Sequence, residues 1–272
     1  MTDLLNILQY TFMQRAILAG IVAGVMCSIV GVYVVLKRLS FMGAGISHSA
    51  FGGVALGYLL GIDPMFTAIG FCVLSALGIS FFSRRKIVRE DTVIGIFYSA
   101  SMGLGVFLTG YLRGYNVDLF GYLFGNILAV TISDLKIMTG VLAIVVFLVI
   151  FYYKELLSIV LDDETAAVSG IPVAFLNHLL AGLVAITIVV SLRVVGIILV
   201  SALIVIPSAA AMHMTDNFKT LMALSVTIGV LSCLTGLFLS YLLNTPSGAT
   251  IILTATLIFV IAALRTSLRR AH

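Results

Sequence analysis

The chain has 272 residues, 61% of them hydrophobic and only 10% charged, with a mean hydropathy of +1.23. Soluble domains carry about 25% charged residues, and a water-soluble fold cannot hide this much apolar surface, so the solvent must be lipid. The net charge of +4 reflects loop arginines and lysines and does not point to nucleic acid.

A hydrocarbon core about 30 Å thick takes roughly 20 apolar residues per helix. The apolar runs predict an all-α polytopic membrane protein with about nine spans, in a range of eight to ten. They lie at 12–36, 41–61, 64–82, 92–112, 133–153, 173–192, 194–213, 219–243 and 248–265. The first segment has no small-residue cleavage site followed by a polar mature region, so no removable signal peptide is expected. Gly20 and Gly24 in the first span, and Gly53, Gly57 and Gly61 in the second, recur at intervals of four. Such small-residue stripes let backbones approach closely in lipid.

The second span also contains "FMGAGISHSAFGG", which sets His48 among serines and glycines. An ionisable side chain at membrane depth is costly and usually faces an interior or a watery path. Asp63, before Pro64 in the outer "GIDP" turn, either forms that turn or meets a metal or partner. Glu90 and Asp91 open the fourth span and complement its helix dipole. The piece "NVDLFGYLFGNILAV", Asn116 to Val130, is too short to cross and too apolar for a simple loop. It is re-entrant or interfacial, and Asp118 within it is a weak metal candidate like Asp63.

Between the fifth and sixth spans, "KELLSIVLDDETAAVSGIPVAF" is the most acidic part of the chain. Asp162 or Asp163 can cap a helix running through Ala166 and Ala167, and Gly170 with Pro172 stops it. A short capped helix at about 155–172 is a docking surface for another protein. In the seventh span Pro207 removes a backbone donor and is predicted to break the helix. Broken backbone is tolerated only inside the bundle or along a watery cavity. Cys27, Cys72 and Cys233 stand singly in apolar runs, as buried hydrophobes, and His178 and His213 lie near span ends, where exposure is expected.

The positive-inside rule orients the spans. With "SRRKIVRED" in the cytoplasm, that side collects Lys37, Arg38, Arg84, Arg85, Lys86, Arg89, Lys154, Lys219, Arg265, Arg269 and Arg270, eleven residues. The outer side keeps four: Arg15, Arg113, Lys136 and Arg193. The amino terminus is then outside and "SLRRAH" inside.

No lysine follows a glycine, so there is no phosphate-binding loop, and neither H-E-x-x-H nor G-x-S-x-G occurs. An enzyme is not expected, and any ATP is hydrolysed by another chain. A secondary transporter usually needs several intramembrane acids, whereas Asp63, Asp118, Asp134 and Glu155 fall at span ends or in loops.

Four stretches occur in one family's order: "GVYVVLKRLSFMGAGISHSAFGGVALGYLLGIDP", "REDTVIGIFYSASMGLGVFL", "LDDETAAVSGIP" and "LRVVGIILVSALIVIPSAAA". From about Gln14 to Arg265 the chain resembles the membrane permease subunit of the ABC-3 family of zinc, manganese and iron importers. The resemblance implies a single permease domain over 1–272 with a type II ABC importer bundle, in a prokaryotic cytoplasmic membrane. It implies two permease copies, two nucleotide-binding (ATPase) subunits and an extracytoplasmic solute-binding protein. No cofactor is permanently bound; the cargo is a divalent metal, and ATP sits on the partner subunit. The coupling element inserted into the ATPase would be "DDETAAVSGIP", with Asp163, Glu164, Ala166, Gly170 and Pro172. The helix with His48, Gly45, Gly52, Gly53 and Gly57 would run beside the pore, with Pro207 in another interior helix.

Family members usually carry an aspartate four residues before this histidine, which would set carboxylate and imidazole on one helix face. Here that position is Ala44. Two His48 rings could meet across a homodimer axis, or the cargo could differ. Imidazole alone favours zinc over manganese, which prefers oxygen. The ordering of cargoes is therefore zinc, then manganese or iron, with a chelated metal or organic nutrient as the alternative.

Overall fold

The computed structural model describes residues 10–84, 89–111, 125 and 127–270, and among these no strand occurs. Eleven α-helices follow in order: α1 Thr11–Leu36, α2 Ser40–Leu60, α3 Pro64–Arg84, α4 Glu90–Tyr111, α5 Ile132–Phe151, α6 Tyr153–Leu161, α7 Asp163–Val168, α8 Val173–Val195, α9 Ile197–Met212, α10 Phe218–Leu243 and α11 Ser247–Arg270. A 3-10 turn, Ile127–Ala129, precedes α5. Among the described residues, seven helices are long and apolar enough to cross a membrane: α1, α3, α4, α5, α8, α10 and α11. The remaining two predicted spans fall on α2, with its glycines, serines and histidine, and on the short α9.

Both exceptions are interior helices. Thirteen of the 21 residues of α2 are buried, as are nine of the 16 in α9. A helix wrapped by others need not match the lipid, so its sequence is free to carry small and polar residues. On α2 those small residues set the packing distance. A Cβ at Gly53 would lie 2.7 Å from the Ala68 Cα and one at Gly57 2.8 Å from the Pro64 Cα, so α3 docks backbone to backbone on this face.

Two local expectations change. Pro207 does not break its helix; α9 runs through it to Met212. The ring sits in a buried stretch, and the next residue ties the turn together, Ser208 Oγ donating to the Ile204 carbonyl at 3.3 Å. The break falls instead at Gly196, with φ 85° and ψ 161°, a single residue between α8 and α9. Only glycine adopts that conformation readily.

The α8–α9 turn is sunk within the bundle. Asn177, near the start of α8, bonds Lys37 at the end of α1, and Phe218, just after α9, packs on Tyr33 of α1. Both helices therefore meet the same end of α1, and they run antiparallel. With 16 residues, α9 rises about 24 Å against about 39 Å for the 26 residues of α1. Gly125 lies against Gly196 and Val195, and the Ile127 side chain reaches towards Gly20. The described part of the Asn116–Val130 piece thus caps this inward turn with protein, as irregular backbone at membrane depth requires.

Candidate functional site

His48 sits on the least covered edge of α2, in line with Phe41 and Ala44. The ring is half-buried, and its Nδ1 lies 3.0 Å from the Ala44 carbonyl oxygen. A carbonyl only accepts, so Nδ1 is the donor, and in the neutral ring this leaves the lone pair on Nε2, the tautomer suited to metal binding. Tyr98 of α4 covers one side of the ring, with centroids 4.7 Å apart and planes at 54°. The tyrosine fixes where Nε2 can point, and no local sequence signal paired it with a histidine one helix away.

The neighbouring serines and glycines do not surround the imidazole. Ser47 Oγ donates to the Gly43 carbonyl and accepts from Ser201 Oγ of α9 at 3.2 Å. Ser49 Oγ donates to Ser101 Oγ of α4 at 3.1 Å. A Cβ at Gly45 would meet the Ile94 side chain at 2.7 Å, and one at Gly52 the Ser101 carbonyl at 2.8 Å. These residues fasten α2 to α4 and α9, so their space is filled by helix contacts and not by the imidazole. Among the described residues no three of His, Cys, Asp or Glu come together as a metal group.

The second cluster lies at the end predicted to be cytoplasmic. Asp162 is the cap: its carboxylate accepts from the Glu164 amide at 3.0 Å, the Thr165 amide at 3.3 Å and the Thr165 hydroxyl at 2.5 Å. Thr165 first, then the two amides, hold this exposed carboxyl below the usual carboxylate range. α7 follows, with Ala166 buried beneath it, Gly170 at φ 79° and then Pro172. Two apolar side chains stand out at this end, Leu161 closing α6 at 78% exposure and Val168 closing α7 at 90%. Glu164 is also outward, whereas the Asp163 carboxylate turns inward to Lys37 at 3.0 Å. A cleft of about 260 Å³ beside this pair is lined by Lys37, Glu90, Asp163, Glu164, Asn177 and Ser83 among others.

The other candidates are scattered. Asp63 Oδ1 accepts from the Met65 amide at 2.8 Å and starts α3 as a turn residue. Asp118 lies outside the described residues. His213 is exposed, but His178 is half-buried with Nδ1 enclosed, against the expectation of exposure. All three cysteines are free and buried. Lys37, Asn177, Leu161 and Val168 escaped notice as site residues because each reads locally as a topology signal or an ordinary loop residue.

Residues 9–266 match the model of the ABC 3 transport family. The chain is 37% identical over 259 residues, 95% of its length and 92% of the relative's, to the manganese transport system membrane protein MntC of Listeria monocytogenes. It is 34% identical, over 93% of its length and 85% of the relative's, to the chelated iron transport system membrane protein YfeD of Yersinia pestis. Among solved structures it superimposes on PsaBC from Streptococcus pneumoniae in complex with Fab with a TM-score of 0.85 and 36% identity, covering 96% of this chain and 94% of that one. Coverage from end to end of the helical bundle, at this identity, makes the chain a multi-pass membrane protein and a member of the ABC 3 transport family.

Proposed function

We propose that this chain is the permease subunit of an ATP-driven importer of a divalent metal ion in a prokaryotic cytoplasmic membrane. The observation that carries the reading is His48, pinned through Nδ1 with Nε2 left as a ligand on an uncovered edge of an interior helix. One imidazole is too few for a metal, so we infer a homodimer in which the second copy brings its own histidine to the path. Two ATPase chains dock where α6 meets α7, through Leu161, Glu164 and Val168, and an extracytoplasmic binding protein delivers the cargo from the other side. Kinship puts manganese and iron first among cargoes; ligand chemistry, imidazole without the usual carboxylate, puts zinc first. Ala44 also favours a second reading, a chelated metal that arrives with its own oxygen ligands.

Uptake in liposomes carrying permease, ATPase and binding protein tests this. His48→Ala should cut Mn²⁺, Fe²⁺ and Zn²⁺ uptake by about tenfold or more, since even supporting residues of metal ligands are worth 10–100-fold. Its melting temperature should stay within a few degrees, the lost Tyr98 contact being worth about 1 kcal/mol. Ala44→Asp should shift preference towards Mn²⁺. Normal uptake by the His48→Ala complex would end the ligand assignment, and uptake of ferric chelates but no free ion would select the second reading.

A further inference from the structure

We infer that Lys37 is the positioning residue through which movement of the coupling element α7 reaches the histidine-bearing helix α2. The inference rests on reading α7 as the ATPase docking element. The Lys37 ammonium is held between two other elements: it donates to Asp163 Oδ1 at 3.0 Å and Oδ2 at 3.3 Å on α7, and to Asn177 Oδ1 at 2.5 Å on α8. Asn177 Nδ2 closes the triangle on Asp163 Oδ2 at 3.5 Å. The lysine side chain is 10% exposed and the aspartate 46%, so the contact is anchored on the lysine's side and open on the side a partner would approach.

The other end of Lys37 is stiff. It is the C-cap of α1, followed by Arg38 at φ 61° and Leu39, after which α2 begins at Ser40. Arg38 N–H donates to the Val35 carbonyl and Leu39 N–H to the Val34 carbonyl, both at 2.9 Å, so this corner has no slack. His48 stands two turns further along α2, about 12 Å from Ser40. α7 is equally stiff at its start, where Asp162 holds two amides and a hydroxyl. A displacement of α7 therefore pulls Lys37, and Lys37 moves the base of α2. The adjoining cleft gives the pair room to move, and Glu90 at the foot of α4, the helix carrying Tyr98, lines the same space. A simple staple for a loop would need none of this continuity.

The test uses the assembled complex of permease, ATPase and binding protein in liposomes, with Mn²⁺ uptake and ATP hydrolysis read together. Lys37→Met keeps the length of the side chain and removes its charge. Expected is a tenfold or greater fall in Mn²⁺ moved per ATP, with wild-type amounts of ATPase co-purifying and a melting temperature within a few degrees. Lys37→Met combined with Asp163→Leu should be no worse per ATP than the worse single variant, because both break one link. Wild-type transport per ATP in Lys37→Met overturns the inference, as does a loss explained by ATPase release or a collapsed melting temperature. Additive losses in the double variant also overturn it. If the wild-type complex itself shows no ATP-driven Mn²⁺ uptake, the proposed function fails and the relay with it; if wild type couples and Lys37→Met couples equally, only the relay fails.

Discussion

Gly53→Ala measures how tightly the histidine-bearing helix is held. The added methyl would lie 2.7 Å from the Ala68 Cα, 2.8 Å from the Phe71 Cβ and 2.9 Å from the Thr67 carbonyl oxygen. Ordinary contact begins near 3.4 Å, so the shortfall against Ala68 is about 0.7 Å, and backbone cannot swing aside as a side-chain tip can. Overpacking of this kind costs about 1–3 kcal/mol, set against up to about 1 kcal/mol gained from alanine's helix preference. At the middle of that range the clash wins, by about 1 kcal/mol. Gly70→Ala on α3 is the matched control: nothing lies within 4 Å of its new Cβ, so only the propensity gain applies. The two variants should therefore differ by about 2 kcal/mol, roughly 4–8 °C in melting temperature for a chain this long. Thermal unfolding of the two purified proteins in one detergent is the assay. Gly53→Ala melting at or above Gly70→Ala would refute the claim that α2 and α3 pack backbone to backbone.

Asp162→Ala should weaken α7 through loss of its cap, seen as faster hydrogen exchange at residues 163–168, while Asp162→Asn should keep most of the protection. Because the Asp162 carboxyl is held below its ordinary value in the fold, the cap's pH-linked stability is complete above the ordinary carboxylate pKa. It should fade only as pH falls through the lowered folded value, leaving the protection factors against exchange at 163–168 flat near neutrality; a fall in them between pH 8 and 6 would contradict this. Val168→Cys should react with a membrane-impermeant thiol reagent only from the cytoplasmic side and Ile62→Cys only from outside. The native chain serves as background because its three cysteines are buried. Reaction of both from one side would refute the charge-based topology.

Helices and caps were legible because they are local properties. Span length, the Gly53–Gly57 stripe and the acidic cap before Ala166 depend on residues a few positions apart, and the structure has the same features within a few residues of the expected limits. Pro207 misled because a rule about one missing donor says nothing of the buried neighbours that hold α9 straight. The Lys37 pair was illegible for a different reason: its partners lie 126 and 140 residues away, and a lysine at a span end already has a complete explanation in charge topology. Tyr98 escaped similarly, since an aromatic residue on a membrane helix needs no partner to be expected. Sequence gave His48 its prominence; only the fold supplied its tautomer and its cover.

The one-residue link at Gly196 bears on how the bundle can deform. Two helices tied by a single residue can part their adjoining ends by no more than about 7 Å, so α8 and α9 behave as a crank with one pivot. Displacement of the Val195 end of α8 must be followed by the start of α9, because no spare chain exists to absorb it. Ser201 lies only four residues beyond Ile197 on that arm and touches Ser47, the residue next to His48. A side chain at position 196 would not simply strain a turn; it would stiffen the pivot and restrict the angle through which the crank swings.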